Sequence, residues 1–118
     1  MRTTKVEIAG AEYWLAFSTG SQMLVDSMKK KGLDPKTSTT EWFFTLLVEE
    51  LRVGYRWAIR NGETANQPPA AEDLVDMIDV NEIGALTPVL LQIMKGERNV
   101  IAKPPKKDEA SLSSLSGE

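Results

Sequence analysis

The sequence predicts a mainly α domain of the α+β class: an N-terminal β-hairpin, about four helices and a disordered C-terminal tail. Three observations carry that expectation. Residues 4–17 alternate apolar and polar side chains around a glycine, the period of a half-buried strand pair. From residue 19 to 96 apolar positions recur at spacings of three and four, with helix starts and stops between the runs. Beyond Glu97 the chain turns to Lys103-Pro104-Pro105-Lys106-Lys107 and a Ser- and Glu-containing end, a composition that buries too little to fold. The expected division is a domain over 1–96 and a flexible tail over 97–118.

The hairpin rests on Val6 and Ile8 alternating with Lys5 and Glu7, and on Tyr13, Leu15 and Phe17 alternating with Trp14 and Ala16. Gly10-Ala11 lies between them, and glycine supplies the positive φ of a tight turn. A lone hairpin is marginal in water, so its apolar face must lie on helices or on a neighbouring chain.

A first helix is expected over Thr19 to Lys31, capped by Ser18 or Thr19, with Met23, Leu24 and Met28 as its apolar stripe. Lys29, Lys30 and Lys31 complement the dipole of its last turn, and Gly32 suits the position after the cap. Asp34-Pro35 breaks the chain. Ser38-x-x-Glu41 has the form of a capping box ahead of the longest helix, Thr39 to Asn61, closed by Gly62.

Phe43, Phe44, Leu47, Val48, Leu51, Tyr55, Ala58 and Ile59 form a band too wide for one packing face, which marks this helix as central. Gly54 inside it costs about 1 kcal/mol relative to alanine, a cost that points to another backbone passing close by. Glu63 to Pro69 is a polar linker, and Pro69 suits the opening of a short helix from Ala70 to Ile78. Asp79-x-x-Glu82 caps a last helix, Val80 to Lys95, with Ile83, Leu86, Leu90, Ile93 and Met94 inward. Pro88 inside it is expected to kink or split it.

Composition removes most chemistry. The 118 residues contain no cysteine and no histidine, so thiolate and imidazole nucleophiles, bases and metal ligands are absent. Carboxylates remain: Glu49-Glu50, and Glu72, Asp73, Asp76, Asp79 and Glu82. Each falls on a helix start or an expected polar face, where it caps or solvates. Calcium-loop, P-loop and dinucleotide spacings are missing. No catalytic residue, metal or cofactor is expected, and the chain is not read as an enzyme. A net charge of −3 gives no field to draw in nucleic acid. No signal peptide or bilayer-spanning run is read, so the expected location is the cytoplasm.

Arg52, Arg56 and Arg60 recur every four residues and form one row on the long helix. Residues 70 to 94 carry five acids and no basic residue. The plainer expectation is internal: the second and third helices pair antiparallel, and the arginines meet Glu72, Asp73 and Asp76. The alternative is self-association, the acidic segment of one copy meeting the arginine row of another. Trp14, Trp42 and Trp57 are read first as core. Aromatic residues and arginine are nevertheless the types enriched at binding hot spots, so a partner groove, if present, is expected at Trp42, Tyr55, Arg56, Trp57 and Arg60.

The order of these features resembles a known family. Lys5-Val6-Glu7-Ile8-Ala9-Gly10-Ala11-Glu12-Tyr13-Trp14-Leu15-Ala16-Phe17 leads into a helix. A long helix follows, carrying Leu51-x-x-Gly54-Tyr55-Arg56-Trp57-Ala58, and then Glu72-Asp73-Leu74-Val75-Asp76-Met77-Ile78-Asp79. Over residues 4–96 this is similar to the tail assembly chaperones of long-tailed bacteriophages and prophages.

The resemblance implies an assembly factor in the host cytoplasm, absent from the mature virion, that binds the tape measure protein and recruits tail tube subunits. It also implies a longer form made by frameshifting, for which codons at Lys106-Lys107 could be the slippery site. Pro88 is not expected in that family's last helix. Two other readings stand beside it: a head–tail connector or tail completion protein, and a small DNA-binding regulator or antitoxin.

Overall fold

The structure, a computed structural model, describes residues 2–102, with side chains as far as Lys95. A two-stranded antiparallel sheet precedes four helices: β1 (Thr3–Ile8), β2 (Ala11–Ala16), α1 (Thr19–Lys30), α2 (Thr39–Arg60), α3 (Ala71–Met77) and α4 (Val80–Ala102). The mainly α architecture with its N-terminal hairpin is therefore as the sequence predicts. The expected tail lies outside the described residues from 103 onward. The helix expected to stop before Gly96 continues to Ala102.

The hairpin pairs Val6 with Tyr13 and Thr4 with Leu15, which gathers Val6, Ile8, Tyr13 and Leu15 on one buried face. Its turn is Ala9-Gly10, with φ of 52° and 85°, one residue earlier than expected. Two left-handed residues in succession match the twist of the strands, although alanine there costs roughly 1–2 kcal/mol.

Ser18 caps α1 in a reciprocal arrangement: Ser21 N–H donates to Ser18 Oγ at 3.2 Å, and Ser18 N–H to Ser21 Oγ at 3.0 Å. Its inward stripe is Ser21, Leu24, Val25 and Met28, while Met23 is 68% exposed, contrary to expectation. The helix ends with Leu33 N–H donating to the Met28 carbonyl at 2.9 Å, the wide bond of a Schellman closure.

Ser38 begins α2 as expected, but its side chain caps nothing. Asp34 organises this turn instead. Its carboxylate accepts from Lys36 N–H at 2.7 Å and Thr37 N–H at 3.0 Å, which fixes the turn leading into the helix. The Asp79–Glu82 box ahead of α4 does form, with both of its bonds between 3.0 and 3.1 Å. Pro88 lies within α4 without splitting it.

Four elements pack on α2: β2, α1, α3 and α4. Phe43, Leu46, Leu47 and Leu51 are sealed against Phe17, Leu74 and Leu90. In a hairpin with Ile8 opposite Ala11, alternate pairs, including Glu7–Glu12 and Lys5–Trp14, turn their N–H and C=O groups outward. On β2 that free edge is covered. A Cβ on Gly54 would collide with the Trp14 carbonyl and lie 2.7 Å from the Leu15 nitrogen, so the strand crosses α2 backbone to backbone. Beside it, Asn66 Nδ2 donates to the Glu12 carbonyl at 2.8 Å.

Candidate functional site

The side of α2 turned away from β2 is only partly used. Helix α3 and the linker before it cover a strip of α2 and leave an open trough on either side of Val48 and Ala71. One part, about 320 Å³, is floored by Leu51, Leu74, Pro68 and Pro69 and rimmed by Arg52, Tyr55 and Arg56. The adjoining part, about 360 Å³, lies among Leu24, Phe44, Val48 and Val75. The walls are mostly apolar, and each part has room for a few side chains of a partner.

The rim is basic. Arg52 is tied down: its Nη2 donates to both Glu49 oxygens at 2.9 and 3.0 Å, and Ser21 Oγ donates to the same carboxylate at 2.9 Å. Arg56 and Arg60 are exposed and make no ion pair or hydrogen bond among the described residues. The carboxylates of Glu72, Asp73 and Asp76 likewise make none. The internal pairing of the arginine row with these acids, expected from sequence, is therefore absent. The linker explains it. Thr64 accepts from Trp14 Nε1 at 3.0 Å, and Asn66 reaches Glu12, so the chain turns back along the hairpin. Helix α3 then lands beside Phe44, Val48 and Leu51, with Arg56 on the rim of the trough it borders and none of its acids at ion-pair distance from Arg56 or Arg60.

The five residues expected at a partner groove separate. Tyr55 and Arg56 line the trough, and Arg60 stands one turn further on at the exposed end of α2. Trp57 packs against Trp14, ring centroids 5.2 Å apart, in the seam between helix and hairpin. Trp42 is 4% exposed within the core, which corrects its assignment: it offers no surface to a partner. Sequence reasoning missed Phe44 and Val48 as trough residues. The available signal was the width of the α2 band, which exceeds what its packing neighbours cover.

Glu50 is the other departure. Read as a polar-face residue, it is fully buried, and neither carboxyl oxygen has a hydrogen-bonding partner. Burial, and secondarily the charge of neighbouring Glu49, push its carboxyl up to about 9. A neutral acid sealed inside the domain lines neither part of the trough, so it cannot meet a ligand there. Among the described residues no group of three or more Asp or Glu side chains is placed to hold a metal ion. No described helix is long and apolar enough to cross a membrane. Neither a protein-family model, nor a curated protein, nor a solved structure matches the chain.

Proposed function

We propose that this protein is a tail assembly chaperone of a long-tailed phage or prophage. It acts in the host cytoplasm without catalysis and is left out of the mature virion. Its client is the tape measure protein, a helical segment of which lies along the α2 trough, and it brings tail tube subunits to that client.

The observation that carries this reading is the trough: an apolar floor along one helix, rimmed by Tyr55 and the unpaired Arg56. An amphipathic client helix supplies apolar residues at i, i+3, i+4 and i+7 to such a floor, and acidic residues on its flank meet the guanidinium. The order of hairpin, long helix and acidic helix supports the same reading.

The test is co-expression of this chain with segments of the tape measure protein encoded in the same genome, followed by affinity capture. Wild type is expected to keep a segment soluble and co-purify with it. Tyr55→Ala combined with Arg56→Glu is expected to weaken capture at least about tenfold with unchanged helix content. Finding the protein at stoichiometric levels in purified particles would instead support the connector reading.

A further inference from the structure

The two parts of the trough adjoin along Val48 and Ala71, with Leu51 and Leu74 in one and Phe44 and Val75 in the other. Val75 is 49% exposed, and Arg56 on the rim has no ion-pair partner among the described residues. Sixteen residues follow Ala102, and their charges are sorted. Residues 103–107 hold three lysines and no acid, whereas residues 108–118 hold Asp108, Glu109 and Glu118 and no base. Leu112 and Leu115 are the large apolar side chains of that acidic half. Asp108, Leu112 and Leu115 are spaced i, i+4 and i+7, positions that share one side of a helical turn. Two leucines with an acid at one end complement a two-part apolar floor with an arginine at one end.

We infer that residues 108–118 dock in the α2 trough of their own chain, with Leu112 and Leu115 on the apolar floor and the acids beside Arg56. The reach is sufficient. A short turn joins α3 to α4, so Ala102 stands ~33 Å from the α3 end along the axis of α4. The ten residues from Ala102 to Leu112 span ~33 Å when extended, and the thirteen to Leu115 ~43 Å. Pro104-Pro105 cannot extend α4, so the return to the trough begins directly after Ala102. Acids lie on both sides of the leucine pair, and either direction of binding brings one to Arg56. Tethering holds the segment at roughly millimolar concentration, which lets two leucines and an ion pair suffice. A client then has to displace the segment, and its apparent affinity falls by the fraction of chains whose trough is open. The inference rests on the trough as the docking groove that the proposed function also uses, but not on the identity of the client.

The chain has no cysteine, so Ser114→Cys carries a single nitroxide label on the full-length protein. The readout is paramagnetic broadening of backbone amides in the isotope-labelled chain, with no client present. Broadening is expected to be strongest at Val48, Leu51 and Tyr55 rather than on β1. Leu112→Asp combined with Leu115→Asp is expected to abolish it. Arg56→Glu is expected to weaken the docking at least about threefold, with helix content by circular dichroism unchanged. When the nitroxide is carried by a second, isotope-silent chain, the trough of the observed chain is expected to stay sharp. Broadening without preference for the trough overturns the inference, as does trough broadening unmoved by the leucine replacements. Equal broadening in the mixed sample overturns it too, because the segment then sits on another copy. Failure of client capture leaves this readout intact, and a tail that stays out of the trough leaves client capture intact, so the two readings fail separately.

Discussion

Burial without a hydrogen-bonding partner keeps the proton on Glu50 until about pH 9, whereas an ordinary glutamate loses it near 4.5. Across that window the unfolded chain binds fewer protons than the folded one. Stability therefore falls as pH rises, by up to about 1.4 kcal/mol per pH unit from this group. Asp34 has the opposite sign. The Thr37 and Lys36 amides lower its pKa below 3.8, so its contribution is lost only in acid and leaves the higher window untouched. Glu50→Gln replaces the acid with a neutral group of the same shape. The variant is expected to flatten the pH dependence of the urea midpoint between pH 5 and 8, with its largest gain over wild type at pH 8. Parallel slopes for the two proteins would mean that Glu50 reaches water. Conserving shape at this position also leaves the neighbouring Ser21–Glu49–Arg52 link between α1 and α2 in place.

At the scale of elements, the crossing of β2 over α2 depends on a missing side chain. Alanine at Gly54 improves helix propensity by about 1 kcal/mol, but its Cβ has no space beside Trp14 and Leu15. The strand must lift, and with it the seam that holds Trp14 against Trp57. Gly54→Ala is therefore expected to destabilise the fold by about 2 kcal/mol or more. Gly84 in α4 provides the control, because a Cβ there meets nothing within 4 Å. Gly84→Ala is expected to stabilise by up to about 1 kcal/mol. Thermal melts of the two variants check the pair, and shifts of the same sign in both would remove the close approach as the reason for Gly54. Propensity acts equally at both sites, so the difference between them isolates the packing.

For the whole molecule, α2 is the common partner of the hairpin and of the other three helices, so losing any one contact exposes the same helix. One cooperative transition is expected, with tryptophan emission, which reports the Trp14–Trp57 seam and the Trp42 core, sharing a urea midpoint with helix ellipticity. Separate midpoints would show the hairpin docking as an independent unit. Much of this architecture is legible residue by residue. Strand alternation, three-and-four spacing, the Asp79–Glu82 box and the lone glycine in a long apolar band each act over a few positions, so sequence alone determines which elements form and that Gly54 faces a backbone. What it does not determine is which faces remain open. The burial of Trp42 and Glu50, the exposure of Met23 and Ile59, and the absence of partners for Arg56 and Arg60 follow from how the elements pack on one another. Two long-range hydrogen bonds to the hairpin, from Trp14 to Thr64 and from Asn66 to Glu12, send α3 back along α2. Bonds between residues fifty positions apart leave no local pattern, so only the tertiary structure decides them.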